Sequence, residues 1–190
     1  MDHDDPIEPN HHLQRRYPAD SRFCALCAGA LRIRTVLPDR KRLKVCERCG
    51  FVEFTGPKAV AGCLVIVERR VLLLKRGNPP QIGKWTFPGG YIDLGELPAA
   101  AAIRETAEEV GLDVAIERLH GVYADPARPE AMVIVYMATA DRGAAPAASP
   151  EALEVGFFAP REIPWNDLAF RTTRDALGDW AARIDAPPFR

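Results

Sequence analysis

A chain of 190 residues, 47% of them apolar, holds one domain of ordinary size plus a small module, with enough apolar side chains for a sizeable core. Its formal net charge of −1 argues against a global role as a polycation or polyanion. No stretch approaches the ~20 apolar residues that a membrane-spanning helix needs.

In chain order, residues 1–20 are polar and lack the basic and apolar regions of a secretory signal. They are expected to form a flexible tail, with His3, His11 and His12 at most casual metal ligands, in a protein of the cytoplasm. Residues 21–57 hold Cys24-x2-Cys27 and Cys46-x2-Cys49, two pairs separated by 18 residues. Four thiolates on two tight knuckles are the ligand set of a tetrahedral Zn²⁺ ribbon. Two disulfides are the alternative, which a cytosolic setting disfavours. Ala28, Gly29 and Gly50 follow the knuckles, where small residues ease the turn. Asp39-Arg-Lys-Arg-Leu-Lys44 reads as a charged hairpin tip. A solvated turn is its plain interpretation and contact with an anion the alternative.

Residues 59–77 read as two strands joined near Glu68–Arg70, with the lone Cys63 in the core. A proline-containing loop follows at 78–83, then a short strand at 84–88 and a turn at Gly89–Gly90. Pro98 suits the first turn of a helix, four alanines follow it, and Gly111 suits the position that ends one. On this helix, over 98–110, Glu105, Glu108 and Glu109 are spaced i, i+3, i+4 and share a face. Ala99, Ile103, Thr106 and Val110 form the stripe expected to meet the core. Clustered carboxylates are the hard ligands that Mg²⁺ and Mn²⁺ prefer beside phosphates, and a divalent ion there would hold a pyrophosphate and activate a water. A solvated acidic face is the alternative. Beyond the helix, strands are expected at 114–122, 131–140 and 154–159, a loop of small residues at 142–150, a turn at 161–167 and a helix at 172–184. Mixed strands with one early and one late helix predict an α/β sandwich.

Gly90, Glu96, Arg104, Glu105, Glu108, Glu109, Gly111 and Leu112 together resemble the Nudix box, G-x5-E-x7-R-E-U-x-E-E-x-G-U. Thr106 departs from it, standing where a bulky apolar residue is usual. The resemblance implies a Nudix α/β/α sandwich with a mixed sheet over 58–190, preceded by the zinc ribbon over 21–57. It implies that Glu105, Glu108 and Glu109 hold Mg²⁺ or Mn²⁺, with the Gly89 carbonyl a further ligand beside Gly90. Glu96 and Arg104 would orient those carboxylates, and Glu151 or Glu154 would act as general base. Lys75 and Arg76 would neutralise phosphates, or simply form a charged strand end. The substrate would be a small nucleotide, and nucleic acid is not expected as a partner. A homodimer is implied.

The flanks narrow the resemblance. Phe23-Cys24, Cys46-Glu-Arg-Cys-Gly50, Pro57–Lys58, Gly62-Cys63-Leu64, Pro150-Glu-Ala-Leu-Glu154, Glu162-Ile-Pro164 and Leu168-Ala-Phe170 resemble the plant chloroplast ADP-ribose/FAD pyrophosphatase group. The SQPWPFPxS array that marks NADH pyrophosphatases is missing. The implied reaction cleaves the pyrophosphate of ADP-ribose or FAD into two monophosphates. The alternatives are NADH, a diadenosine polyphosphate or a damaged nucleoside triphosphate as substrate, or a nucleotide-sensing regulator. Tyr91, Tyr123, Phe157, Phe158 and Trp165 are candidates for stacking on a base.

Overall fold

A computed structural model describes residues 21–185, apart from 142 and 144. The expected tail over 1–20 lies outside the described residues, as do two positions of the expected loop at 142–150. The chain forms two compact units, the first ending at Gly56 and the second beginning at Pro57.

The first unit is a three-stranded antiparallel sheet, β1 (Leu31–Val36), β2 (Lys41–Cys46) and β3 (Val52–Glu53). The turn between β1 and β2 lies at 37–40, so that only Asp39 and Arg40 of the expected charged tip are in it, and residues 41–44 belong to β2 and pair with β1. Its buried apolar residues are Cys24, Leu31 and Cys46, with Cys27 and Phe51 packed on them.

The second unit is built on β4 (Lys58–Val67), β5 (Arg70–Arg76), β6 (Trp85–Thr86), β7 (Gly89–Tyr91), β8 (Ala115–Asp125), β9 (Arg128–Thr139) and β10 (Ala152–Phe158). The strand order is β10-β5-β4-β9-β8; β4 and β9 are parallel, and the other pairs are antiparallel. Helices α1 (Pro98–Val110) and α2 (Arg171–Asp185) complete it. Period-two alternation sends the strand side chains into two layers. Ala61, Cys63, Val65, Leu72 and Leu74 face the layer containing Ala101, Ala102 and Val110 of α1. Leu64, Val71 and Leu73 face the layer containing Ala176, Leu177 and Trp180 of α2. The sheet is therefore sandwiched between the helices, and each fully buried Leu or Val contributes about 1.5–3 kcal/mol.

β4 and β5 pair only beside their connection, at Ile66↔Val71 and Val67↔Arg70. Further along they diverge: β4 takes β7 as partner and β5 takes β6. Gly89 and Gly90 are therefore strand residues, opposite Gly62 and Ala61, and not the expected turn. Their value is close approach. A Cβ on Gly89 would come within 2.6 Å of the Ala61 carbonyl oxygen.

Helix α1 occupies the predicted span. Pro98 opens it, and Gly111, at φ 67°, closes it with its N–H on the Ala107 carbonyl. The inward stripe differs from the expected one. Ala101, Ala102, Thr106, Glu109 and Val110 are buried, while Ile103 is exposed. The helix is rotated so that small alanines meet the sheet, and Glu109 is carried inward with them. Thr106 fits this core because its hydroxyl donates to the Ala102 carbonyl at 2.7 Å. Strands β8 and β9 run longer than expected, since Pro126 and Ala127 suffice for the turn between them.

Candidate active site and metal centres

The catalytic candidates gather where β4 and β5 part and α1 crosses them. Arg104 is the organiser. Its Nε and Nη2 donate to the two oxygens of Glu96, each at 2.9 Å, in a bidentate fork. Its Nη1 reaches Glu105 at 2.8 Å and Glu108 at 3.0 Å. Nη2 also donates to the Tyr91 carbonyl at 3.1 Å. This fork holds the Glu96 carboxyl down at about 2, helped by the Asp93 N–H. One guanidinium thus ties the loop before α1, strand β7 and two box carboxylates together.

Glu109 is placed differently. It is 8% exposed, and its Oε2 accepts the Gly89 N–H at 2.8 Å. Burial pushes its carboxyl up to about 7, with the Gly89 N–H opposing and the charges of Glu105 and Glu151 reinforcing the rise. Burial also raises Glu105, against the pull of Arg104. Glu105 lies against the backbone of Gly90, where a Cβ would come within 2.4 Å of its carboxylate oxygen. Ionising the buried Glu109 beside the partly buried Glu105 calls for a compensating cation. Their hard oxygens are the donor type that fits Mg²⁺ or Mn²⁺, with Glu105 and Glu108 turned to Arg104 and Glu109 to the Gly89 N–H.

Two sequence candidates for the base separate here. Ala147 N–H donates to the Val110 carbonyl and Ser149 Oγ to the Glu109 carbonyl, each at 2.9 Å. These bonds dock the loop on the end of α1. Gly77 N–H donates to the Glu151 carbonyl at 2.7 Å, and a Cβ on Gly77 would run into Pro150. Glu151 is thereby brought near enough for its charge to act on Glu105, Glu109 and Arg76. Glu154 instead pairs with Lys75 at 2.8 Å. Arg76 donates Nε to the Pro80 carbonyl at 2.9 Å and Nη2 to that of Asn78 at 3.3 Å, so part of its fork is spent on its own loop. The Tyr91 carbonyl, the Gly89 N–H and Ser149 are site groups that sequence reasoning missed. The first two are backbone groups, which leave no side-chain signal.

In the first unit the four cysteine Sγ atoms lie within 4.8 Å of one another. Cys24 and Cys49 sulfurs are 3.7 Å apart, and those of Cys27 and Cys46 3.5 Å. A tetrahedral ion with bonds of about 2.3 Å separates its sulfurs by about 3.8 Å, so the set fits Zn²⁺. The N–H groups of Cys49 and Arg48 draw the Cys46 thiol down to about 6. Against the pull of the Phe51 N–H, the neighbouring sulfurs and burial push that of Cys49 up to about 12, as crowded thiols do without a cation between them. Gly29 is needed between the knuckles, since a Cβ there would meet Arg48 and the Cys46 sulfur. Ala28 adopts φ 57°, a left-handed conformation that costs a non-glycine residue about 1–2 kcal/mol.

Among the described residues no helix is long and apolar enough to cross a membrane. The family model of the NUDIX domain matches residues 56–180. The ADP-ribose pyrophosphatase of Methanocaldococcus jannaschii is 34% identical over 119 residues, 62% of this chain and 69% of that protein. A MutT-like protein of Streptomyces ambofaciens is 31% identical over 105 residues, 55% of this chain and 65% of that protein. The crystal structure of a NUDIX hydrolase from Nitrosomonas europaea superposes with a TM-score of 0.77 at 33% identity, covering 90% of this chain and 97% of that one. The box geometry and the family match agree, and the chain belongs to the Nudix family as a Nudix hydrolase.

Proposed function

We propose that this hydrolase cleaves the phosphoanhydride bond of a nucleoside diphosphate joined to a second group, ADP-ribose or FAD, giving two monophosphates. The observation that carries the reading is the Arg104 fork, which presents Glu105 and Glu108 on one side while the Gly89 N–H holds Glu109 on the other. The similarity to a protein named ADP-ribose pyrophosphatase and the flanking motifs support the substrate class.

Bound by Glu105, Glu108, Glu109 and the Gly89 carbonyl, Mg²⁺ or Mn²⁺ would neutralise phosphate charge and acidify a water. The protein's own groups do the rest. Arg104 and Glu96 fix two carboxylates so that little reorganisation is left for the reaction. Glu151, at the end of the docked loop, accepts the proton of the attacking water. Glu154 is the weaker candidate, being held by Lys75. Arg76 supplies positive charge beside Glu109 and Glu151. In the first unit Cys24, Cys27, Cys46 and Cys49 hold a structural Zn²⁺. We place the protein in the cytoplasm as a homodimer, which fractionation and sedimentation test.

The substrate is tested by incubating the protein with ADP-ribose, FAD and NADH in Mg²⁺ or Mn²⁺ and separating the products. AMP with ribose 5-phosphate, or AMP with FMN, is the expected outcome. Turnover of NADH alone, or of nucleoside triphosphates alone, would replace the substrate assignment. A salt-dependent nucleic-acid shift without hydrolysis would replace the enzymatic one.

A further inference from the structure

The ring of Phe170 carries two cations. The guanidinium carbon of Arg76 lies 5.2 Å from its centroid and that of Arg128 5.6 Å. The three residues come from the end of β5, the start of β9 and the segment entering α2. Each is held independently. Ala169 donates its N–H to the Trp85 carbonyl at 2.8 Å, and Leu168 bridges to Trp85, which fixes the approach of Phe170. Arg76 is tied to the carbonyls of its own loop. Arg128 follows the two-residue turn and keeps a side chain 43% exposed, paired to Glu130 at 3.2 Å.

Two guanidinium groups gathered on one ring repel each other, and the ring's quadrupole offsets only part of that. A multiply charged anion removes the repulsion and can take the N–H donors that the loop carbonyls leave on Arg76 and that Glu130 leaves on Arg128. Arg76 lies within electrostatic reach of Glu109 and Glu151, and Arg128 shares the Phe170 ring with it. Cations over the ring also compete with a base for its faces, so Phe170 serves as a spacer and not as a stacking platform.

We propose that Arg76 and Arg128, spaced by Phe170, bind the substrate phosphate that lies farther from the box glutamates, which makes Arg128 a specificity-determining residue. The assignment deepens the proposed pyrophosphatase reading and rests on it. On this assignment one of two linked phosphates lies at the carboxylate centre and the other at Arg76 and Arg128.

The test has two readouts on the full chain. The first is hydrolysis of whichever nucleoside diphosphate derivative is turned over. Arg128→Gln should raise KM about tenfold with kcat changed by less than about threefold, and Arg128→Lys should recover part of the loss. The second is calorimetric titration with ADP in a buffer with no added divalent ion and no chelator, so that the cysteine site stays loaded. Arg128→Gln should weaken ADP about tenfold, whereas Glu130→Gln, which removes only the ion-pair partner, should leave it unchanged or tighter. Both Arg128 variants are checked by thermal melting. KM and ADP affinity within about twofold of wild type in Arg128→Gln would overturn the assignment. Loss of ADP affinity without hydrolysis of any diphosphate derivative would keep the phosphate pair and sink the catalytic reading. Hydrolysis unaffected by Arg128→Gln would do the reverse.

Discussion

The unit ending at Gly56 buries Cys24, Leu31 and Cys46 with two partly buried neighbours, whereas the unit beginning at Pro57 buries an apolar layer on each side of a sheet. The first leaves Phe23, Ile33, Leu37 and Phe54 largely exposed. So small an apolar cluster cannot offset the entropy of ordering the chain around it, and small modules of this kind are closed by cross-links or metals. The second unit closes by packing alone. It can therefore hold the buried Glu109 beside the partly buried Glu105, a destabilising arrangement that a larger core tolerates. We attribute the stability of the first unit to its four cysteines. In the other it comes from the two packed layers, against which the buried Glu109 is a cost.

Removing metal should show the contrast most strongly. A strong chelator, or Cys46→Ser, should unfold the first unit and leave the second folded. Hydrogen exchange measures this directly. If the amides of Leu31–Cys46 stay protected in the chelator, the cysteines are not what closes that unit.

The next largest effect concerns Glu109. Glu109→Gln should lower hydrolysis by about a thousandfold or more while leaving the fold intact. Its effect on stability should have the opposite sign. The folded carboxyl, raised to about 7 from 4.5, resists ionisation, so metal-free stability falls as pH rises through that window. Glutamine does not ionise and can still accept the Gly89 N–H. In a chelating buffer at pH 8, the variant should melt above wild type. A lower melting temperature there would show that the Glu109 carboxylate stabilises the fold.

A smaller, pH-linked effect is expected at His120. Its Nε2 faces the Ala176 carbonyl at 2.9 Å, and its buried Nδ1 has no hydrogen-bond partner. Burial depresses its pKa below 6.5. The unfolded chain therefore takes up the proton first as pH falls, and the contribution of neutral His120 is present above 6.5 and lost below it. Melting temperatures from pH 8 to 5 should fall less steeply in His120→Leu; equal slopes would exclude His120 as a cause.

The smallest change is a gain in the first unit. Ala28→Gly relieves the left-handed backbone and should stabilise that unit by about 1 kcal/mol in the metal-loaded protein. Exchange rates at Cys24 and Leu31 provide the measure. Unchanged rates would mean that the metal already holds Ala28 without strain.

Much of this was legible from spacing. The carboxylates of α1 stand three and four residues apart, and Arg104 reaches Glu105 and Glu108 within one turn, so the sequence places those contacts directly. The strands of the second unit were readable from apolar runs bounded by charge and proline. The helix's inward face was not. Ile103 is the more apolar choice, but sheet and helix approach closely only where Ala101 and Ala102 meet, and packing overruled hydropathy. Gly89 and Gly90 looked like a turn because glycine usually signals one, whereas here their missing side chains admit a neighbouring strand and a carboxylate.

By itself, the sequence determined the cysteine knuckles, the box helix and its terminal glycine, and the reaction class these imply. Those features depend on helical and turn periodicities that span a few residues. The tertiary structure alone decided that Glu109 turns to the Gly89 N–H, that Glu151 adjoins the carboxylates while Glu154 pairs with Lys75, and that Arg76 and Arg128 meet on Phe170. Each of those contacts joins elements distant in the chain. Their geometry is set by how β4 and β5 diverge around β6 and β7, which no local period encodes.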